Sequence, residues 1–219
     1  MPDIYNIGSL EPFVHALPAE EQPAAMVLIF NLIQLNRLVN DFGAAVALLE
    51  HAESHLASIQ ILQTQNSLTF VKESHVLELW KEMAGRDSTS TIFHFGKTLE
   101  AFGKSMNRSP TIANGALHEK LRAAKRSFRT AFPAFELLRH GVSHRAESTI
   151  SLESLKKHSE NGAFIFGKMT NRSFTISFEG AHRTLTIDKP TRRVLAKITN
   201  ETYAAFPRLT PNLPVAYEG

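Results

Sequence analysis

The sequence predicts a mainly α protein, an antiparallel helical bundle with a small antiparallel β-meander inserted before its last helix. Three observations carry this expectation. Apolar residues recur at helical spacing between about residues 20 and 147, a block at about 163–187 switches to two-residue alternation, and a last helical period fills about 189–206. With 219 residues, 43% of them hydrophobic and 21% charged, the chain reads as a single domain over 1–219 with a core of its own.

Residues 1–19 hold Pro2, Pro12 and Pro18 with little periodicity and read as an irregular lead. From Ala24 onward, Met26, Val27, Phe30, Ile33, Val39, Phe42, Val46 and Leu49 mark a long helix, with Pro23 suited to its first turn and Gly43 as a point where it breaks. A polar stretch, Gln63 to Ser67, separates it from a second stripe. That stripe starts with Val76, Leu77, Trp80 and Met83 and continues through Ile92, Phe95, Leu99, Phe102 and Met106 in 3,4 alternation. Gly85-Arg86-Asp87 interrupts it, and Asp87 reads as an N-cap for a segment opening at Ser88 and Thr89.

The third stripe runs through Leu117, Leu121, Ala124, Phe128, Ala131, Phe135, Leu138 and Val142, and Pro133 should kink it or start a new segment. Beyond Glu147 come Ala163 to Met169, Arg172 to Phe178 and His182 to Ile187. They are short, rich in Phe, Ile and Thr, and separated by Thr170-Asn171 and Glu179-Gly180. Phe174, Ile176 and Phe178 alternate with Thr175 and Ser177, as in a half-buried strand. Asp188-Lys189-Pro190 caps the last helix, whose apolar side holds Val194, Leu195, Ile198 and Tyr203; prolines from Pro207 onward give an irregular tail.

Composition narrows the chemistry. No cysteine is present, which removes disulfides, thiol nucleophiles and Cys-based zinc sites. No apolar run reaches the roughly 18 residues of a membrane span, and the start lacks a secretory pattern, so a cytoplasmic protein without a membrane partner is expected. Net charge is +3. Lys120, Arg122, Lys125, Arg126 and Arg129 fall in one predicted helix; they read as a solvated basic face or as a track for a phosphate backbone leading toward Arg139 and Arg145.

The hexapeptide Arg139-His140-Gly141-Val142-Ser143-His144 is the arrangement best suited to phosphate chemistry. Cleaving an RNA phosphodiester through the 2′-hydroxyl needs a proton removed, a proton supplied and cationic stabilisation of the phosphorane-like charge. Histidine suits the proton traffic near neutrality, and arginine offers a permanently charged bidentate donor. Arg139 and His144 are the catalytic candidates, and His140 or Ser143 would orient them. Five residues of ideal helix put Arg139 and His144 about 140° apart, so the pair works best where a two-fold partner supplies a second copy. The same cations would also satisfy carbonyls at a helix end. Asp87 reads alternatively as an acidic supporting partner, and Arg86 as a phosphate contact or a surface cation.

An Arg-x4-His motif with a polar residue directly after the arginine, in an all-helical bundle, resembles the HEPN superfamily (higher eukaryotes and prokaryotes nucleotide-binding). The resemblance covers about residues 20–147, and the stretches Trp80 to Asp87 and Phe132 to His140 also resemble uncharacterised bacterial HEPN-like proteins. It implies a metal-independent endoribonuclease without a cofactor, RNA as partner, and a homodimer whose motifs face each other across the interface. In that reading Arg139 holds the scissile phosphate, His144 is the general acid or base, and His140 takes the polar position. Noncatalytic members imply the alternative of an interaction module, and an antitoxin or other protein partner is compatible with either.

A rival reading is metal binding. His51 and His55 share one helix face at i,i+4, and His140 and His144 repeat the spacing, although His51-Ala-Glu53-Ser-His55 lacks the His-Glu-x-x-His order of a metalloprotease. Phe164, Phe166, Phe174 and Phe178 read as the packing face of the meander, or as a base-stacking platform.

Overall fold

The computed structural model describes residues 7–62 and 68–216. Its elements in order are α1 (Glu11–His15), α2 (Gln22–Leu62), α3 (Leu68–Asn107), α4 (Pro110–Gly115), α5 (His118–Ala131), α6 (Phe135–Ser143), α7 (Leu152–His158), strands β1 (Phe166–Thr170), β2 (Ser173–Phe178) and β3 (Ala181–Thr186), and α8 (Lys189–Tyr203). The protein is mainly α with an antiparallel meander in the order β1-β2-β3 immediately before the last helix, as expected. The predicted polar break at 63–67 lies outside the described residues. Among the described residues, no helix is long and apolar enough to cross a membrane.

The chain forms two compact units. The first comprises the segments up to Asn40, His94–Pro133 and from Arg192 onward; the second comprises Asp41–Phe93 and Ala134–Thr191.

In the first unit Leu28, Leu32, Leu35 and Val39 of α2 are buried, together with Phe95, Leu99, Phe102 and Met106 of α3. Phe95 stacks on Phe128 of α5 with ring centroids 5.4 Å apart, and Phe102 meets Phe206 at 5.9 Å. The Tyr203 hydroxyl of α8 donates to the Leu32 carbonyl of α2 across 3.0 Å, satisfying a buried phenol. Between α3 and α5, the buried Glu21 carboxylate accepts from the Ser109 hydroxyl at 2.9 Å and from the Thr111 N–H and hydroxyl at 3.0 and 2.9 Å. Those donors include an otherwise orphan N–H in the first turn of α4.

In the second unit His51 of α2 meets Trp80 of α3, and the Asp41 and Asp87 charges also interact, an antiparallel register. Both hairpin turns have positive φ at their two central residues, Asn171 and Arg172 in the first and Glu179 and Gly180 in the second. That geometry matches the right-handed twist of paired strands. Phe174 and Ile176 of β2 are each 1% exposed with Thr175 half-buried between them, but the expected alternation stops there: Ser177 is also 1% exposed, its hydroxyl accepting from the Ile165 N–H at 2.8 Å, while the sheet packs on α6.

The apolar stripes needed correction where they were ambiguous. Val27 and Phe30 are each 51% exposed, and the buried face of α2 is instead Leu28, Leu32, Leu35, Val39 and Phe42. The segment from Met26 to Leu35 is apolar nearly all round, so periodicity alone does not fix its phase. Val76, Trp80 and Met83 are likewise exposed, with Leu77 buried among them. Nor do Gly43 and Gly85 break their helices, since α2 and α3 run through both. Pro133 does separate two helices, α5 and α6, and Asp188 caps α8 by accepting from the Thr191 N–H at 2.8 Å.

Gly85 has a packing role. A Cβ there would lie 2.7 Å from Cγ of the Phe174 ring and closer still to its Cδ2, so only glycine lets β2 seat this ring on α3. Gly167, at φ +100°, lies against the same ring.

Candidate functional site

Helix α6 displays the motif on two faces. His140 and His144 are four residues apart and share one face, with ring centroids 5.8 Å apart and planes 28° from parallel. Arg139, one residue earlier, is turned about 100° away. Its guanidinium sits 5.2 Å from the centroid of Phe93 on α3, a cation–π contact that holds the side chain half-buried. The structure thus brings His140 and His144 together and gives Arg139 a different neighbour. Gly141, between them, is buried: a Cβ there would be 3.2 Å from Ile176 Cγ2 and Phe178 Cβ, so its absence lets α6 lie close on β2.

His144 terminates the helix. Its N–H donates to the His140 carbonyl at 2.9 Å, and its own carbonyl accepts from the N–H and the hydroxyl of Ser148, each at 3.0 Å. This tight exit, followed by a 3-10 turn at Glu147–Thr149, returns the Glu147 carboxylate to Nδ1 of His144. A carboxylate only accepts, so Nδ1 carries the hydrogen and Nε2 is the nitrogen left for proton exchange. The imidazole row continues from His140 onto Phe178 at 6.3 Å and then His158 at 4.9 Å. His158 is itself fixed by the Glu179 N–H donating to its Nδ1 at 3.1 Å.

Ser143 is the exposed last residue of α6, and the Arg145 carbonyl accepts from the Thr149 hydroxyl at 3.3 Å. Asp87 is not an N-cap: it lies inside α3, where the capping role does not arise. Partial desolvation, aided by the Asp41 carboxylate, raises its carboxyl above the ordinary range. Arg86 pairs with Glu82 at 3.8 Å on the same helix.

The basic residues of α5 belong to the first unit, whereas Arg139, His140 and His144 belong to the second. Arg126 is exposed, and Arg129 pairs with Glu100 at 3.6 Å. Lys125 is half-buried; desolvation lowers its ammonium below the ordinary range, with Glu100 opposing and Arg129 reinforcing the shift. His51 and His55 stack nearly parallel at 6.2 Å, and His51 rests on Trp80 at 6.1 Å. Among the described residues, no group of three or more His, Asp or Glu side chains is placed to hold a metal ion.

Sequence reasoning missed Glu147, Phe93 and His158, and gave Phe178 only as part of the packing face of the meander or of a base-stacking platform. Glu147 carried a local signal, a carboxylate three residues after His144; Phe93 and His158 come from distant elements with no signal in sequence. Comparison with family models, with curated proteins and with solved structures finds no match to this chain.

Proposed function

We propose that the protein is an RNA-binding protein of the HEPN type and a metal-independent endoribonuclease that works as a homodimer. The observation that carries the reading is the Glu147–His144 pair, which orients an imidazole and leaves its Nε2 for proton transfer. In the reaction the 2′-oxygen attacks phosphorus, the bond from phosphorus to the 5′-oxygen breaks, and a 2′,3′-cyclic phosphate forms. The 2′-hydroxyl proton leaves to a general base, and the departing 5′-oxygen takes a proton from a general acid. His144 fills one of these roles and its symmetry copy the other. Arg139 binds the scissile phosphate and offsets its growing charge. Its separation from His144 around α6 favours a site completed by the second copy, where one protomer's arginine serves the other's imidazole.

The test is incubation of single-stranded RNA with purified protein in EDTA. Cleavage leaving 2′,3′-cyclic phosphate ends, abolished in folded His144→Ala and Arg139→Ala, is the expected result. Equal products from all three proteins would overturn the proposal.

A second reading, a noncatalytic RNA-binding module, draws support from the engagement of Arg139 with Phe93. It predicts salt-sensitive RNA binding without turnover.

A further inference from the structure

Two imidazoles one turn apart on a helix can chelate a single ion, and α6 carries such a pair. The rings of His140 and His144 have centroids 5.8 Å apart and planes 28° from parallel. A metal bound at about 2.0–2.1 Å to one nitrogen of each ring sets the centroids about 4.5–5.2 Å apart in square-planar or tetrahedral geometry. The pair therefore closes on an ion by moving about 1 Å. His140 is exposed, and among the described residues its ring makes no hydrogen bond that would oppose the movement.

The Glu147 carboxylate takes the Nδ1 hydrogen of His144 and leaves a lone pair on Nε2. A carboxylate on the far nitrogen is the regular companion of a metal-bound imidazole, because it fixes the tautomer and makes the ligating nitrogen more basic. Glu136, exposed one turn before His140, and Glu147 set carboxylates at both ends of the pair. Arg139 is turned onto Phe93, and Arg145 lies past the helix end. The next imidazole in the row is not a third ligand. His158 accepts the Glu179 N–H on Nδ1, which puts its own hydrogen on Nε2, and the Phe178 ring separates it from His140.

We infer that His140 and His144 bind a divalent transition-metal ion of the zinc, nickel and copper(II) group, through Nε2 of His144 and one ring nitrogen of His140, with water in the remaining positions. Imidazole suits these metals, whereas magnesium and calcium call for oxygen ligands. Copper(II) binds tightest of the group by the general order of divalent affinities. His51 and His55 repeat the spacing with centroids 6.2 Å apart, but among the described residues no carboxylate holds either ring, and His51 rests on Trp80. That pair binds more weakly. Metal binding at His140 and His144 does not rest on the RNA reading. It meets that reading at one atom, since an ion on Nε2 of His144 takes the nitrogen that proton transfer needs and switches cleavage off.

Calorimetric titration of the full chain carrying His51→Ala/His55→Ala with copper(II), zinc and magnesium chlorides tests the assignment without RNA. One zinc or copper(II) ion should bind per chain, copper(II) the tighter, and magnesium should not bind. In this background Glu147→Gln should weaken zinc by about 10–100-fold, the usual effect of losing such a companion. His140→Ala and His144→Ala should each cost at least as much, since they remove a ligand itself, while thermal melting shows intact folds. Absence of zinc binding, zinc affinity unchanged by any of the three substitutions, or magnesium bound as tightly as zinc would each overturn the assignment.

Discussion

The Phe174 ring of β2 occupies the space that a side chain at position 85 of α3 would fill. Gly85→Ala removes a poor helix former, a gain of about 1 kcal/mol, but forces a methyl group into an aromatic ring with nowhere to yield, because Gly167 backs the same ring. Net destabilisation of about 1–2 kcal/mol in urea unfolding is expected. Phe174→Ala should cost about 3–5 kcal/mol as a cavity mutation. The double variant should lose less than the sum, because the new methyl then enters an empty space; strict additivity would refute the contact.

His144 and Glu147 make the prediction on activity. In the RNA cleavage assay His144→Ala should lower kcat by about 10²–10⁴-fold, the usual contribution of a general acid or base. Glu147→Gln should reduce kcat by about tenfold with little change in KM, since an amide still reaches Nδ1 but no longer enforces one tautomer. A change confined to KM would mean that Glu147 contributes to binding only.

Arg172 occupies a left-handed turn position, φ +61°, while its guanidinium donates to Glu53 at 3.1 and 2.8 Å and to Glu50 at 3.4 Å. Arg172→Ala keeps the strained backbone and loses the half-exposed ion pair, a cost of about 1 kcal/mol. Arg172→Gly loses the same pair but relieves the strain, so its stability should stay within about 0.5 kcal/mol of the original. Equal losses in both variants, measured by urea denaturation, would show that φ at this position is not a source of strain.

Glu21 should make the first unit sensitive to acid. Desolvation pushes its carboxyl up, but the Ser109 and Thr111 donors outweigh that and hold it below the ordinary value. A depressed folded-state value means a stabilising contribution present above the unfolded value, near 4.5, and lost as pH falls through the folded value. Glu21→Gln should therefore lower the urea midpoint at pH 7, and the gap to wild type should shrink as pH falls below the unfolded value and close once it has passed the depressed folded value. A gap independent of pH would assign the loss to shape rather than charge.

Asp87 should behave in the opposite sense. Desolvation and the Asp41 charge raise its carboxyl, so the ionised form weakens the folded state at neutral pH and protonation relieves it. Asp87→Asn should raise the melting temperature slightly at pH 7, with the advantage shrinking once pH falls below the raised value and gone below the ordinary value of 3.8. A stability loss at pH 7 would mean that the carboxylate makes a favourable contact.

The contrast between Gly85 and Ile92 explains what the sequence could and could not reveal. From Ile92 to Met106 apolar residues alternate with charged and small ones, so one face is marked and all five marked residues are buried. Around Gly85 the informative partner, Phe174, lies 89 positions away; a glycine beside an aspartate then looks like a stop, although the propensity cost of about 1 kcal/mol is outweighed by packing. The strands were legible because their turns require particular residues, Asn171 and Gly180 among them. In the candidate site, the histidine pair followed from i,i+4 spacing. The Phe93 contact of Arg139 did not, because it depends on how two helices meet.

The division of the chain also bears on how it is made. The first unit draws on three separated stretches, the last beginning at Arg192, so its core stays open until the final helix has left the ribosome. Until then Leu32 lacks the Tyr203 hydroxyl at its carbonyl, and Phe102 lacks the ring of Phe206. A nascent chain arrested before Arg192 would hold long apolar helices with no closing surface, the kind of species chaperones retain. The stretch that begins at Arg192, rather than either of the two long helices, is what supplies the closing surface of this unit.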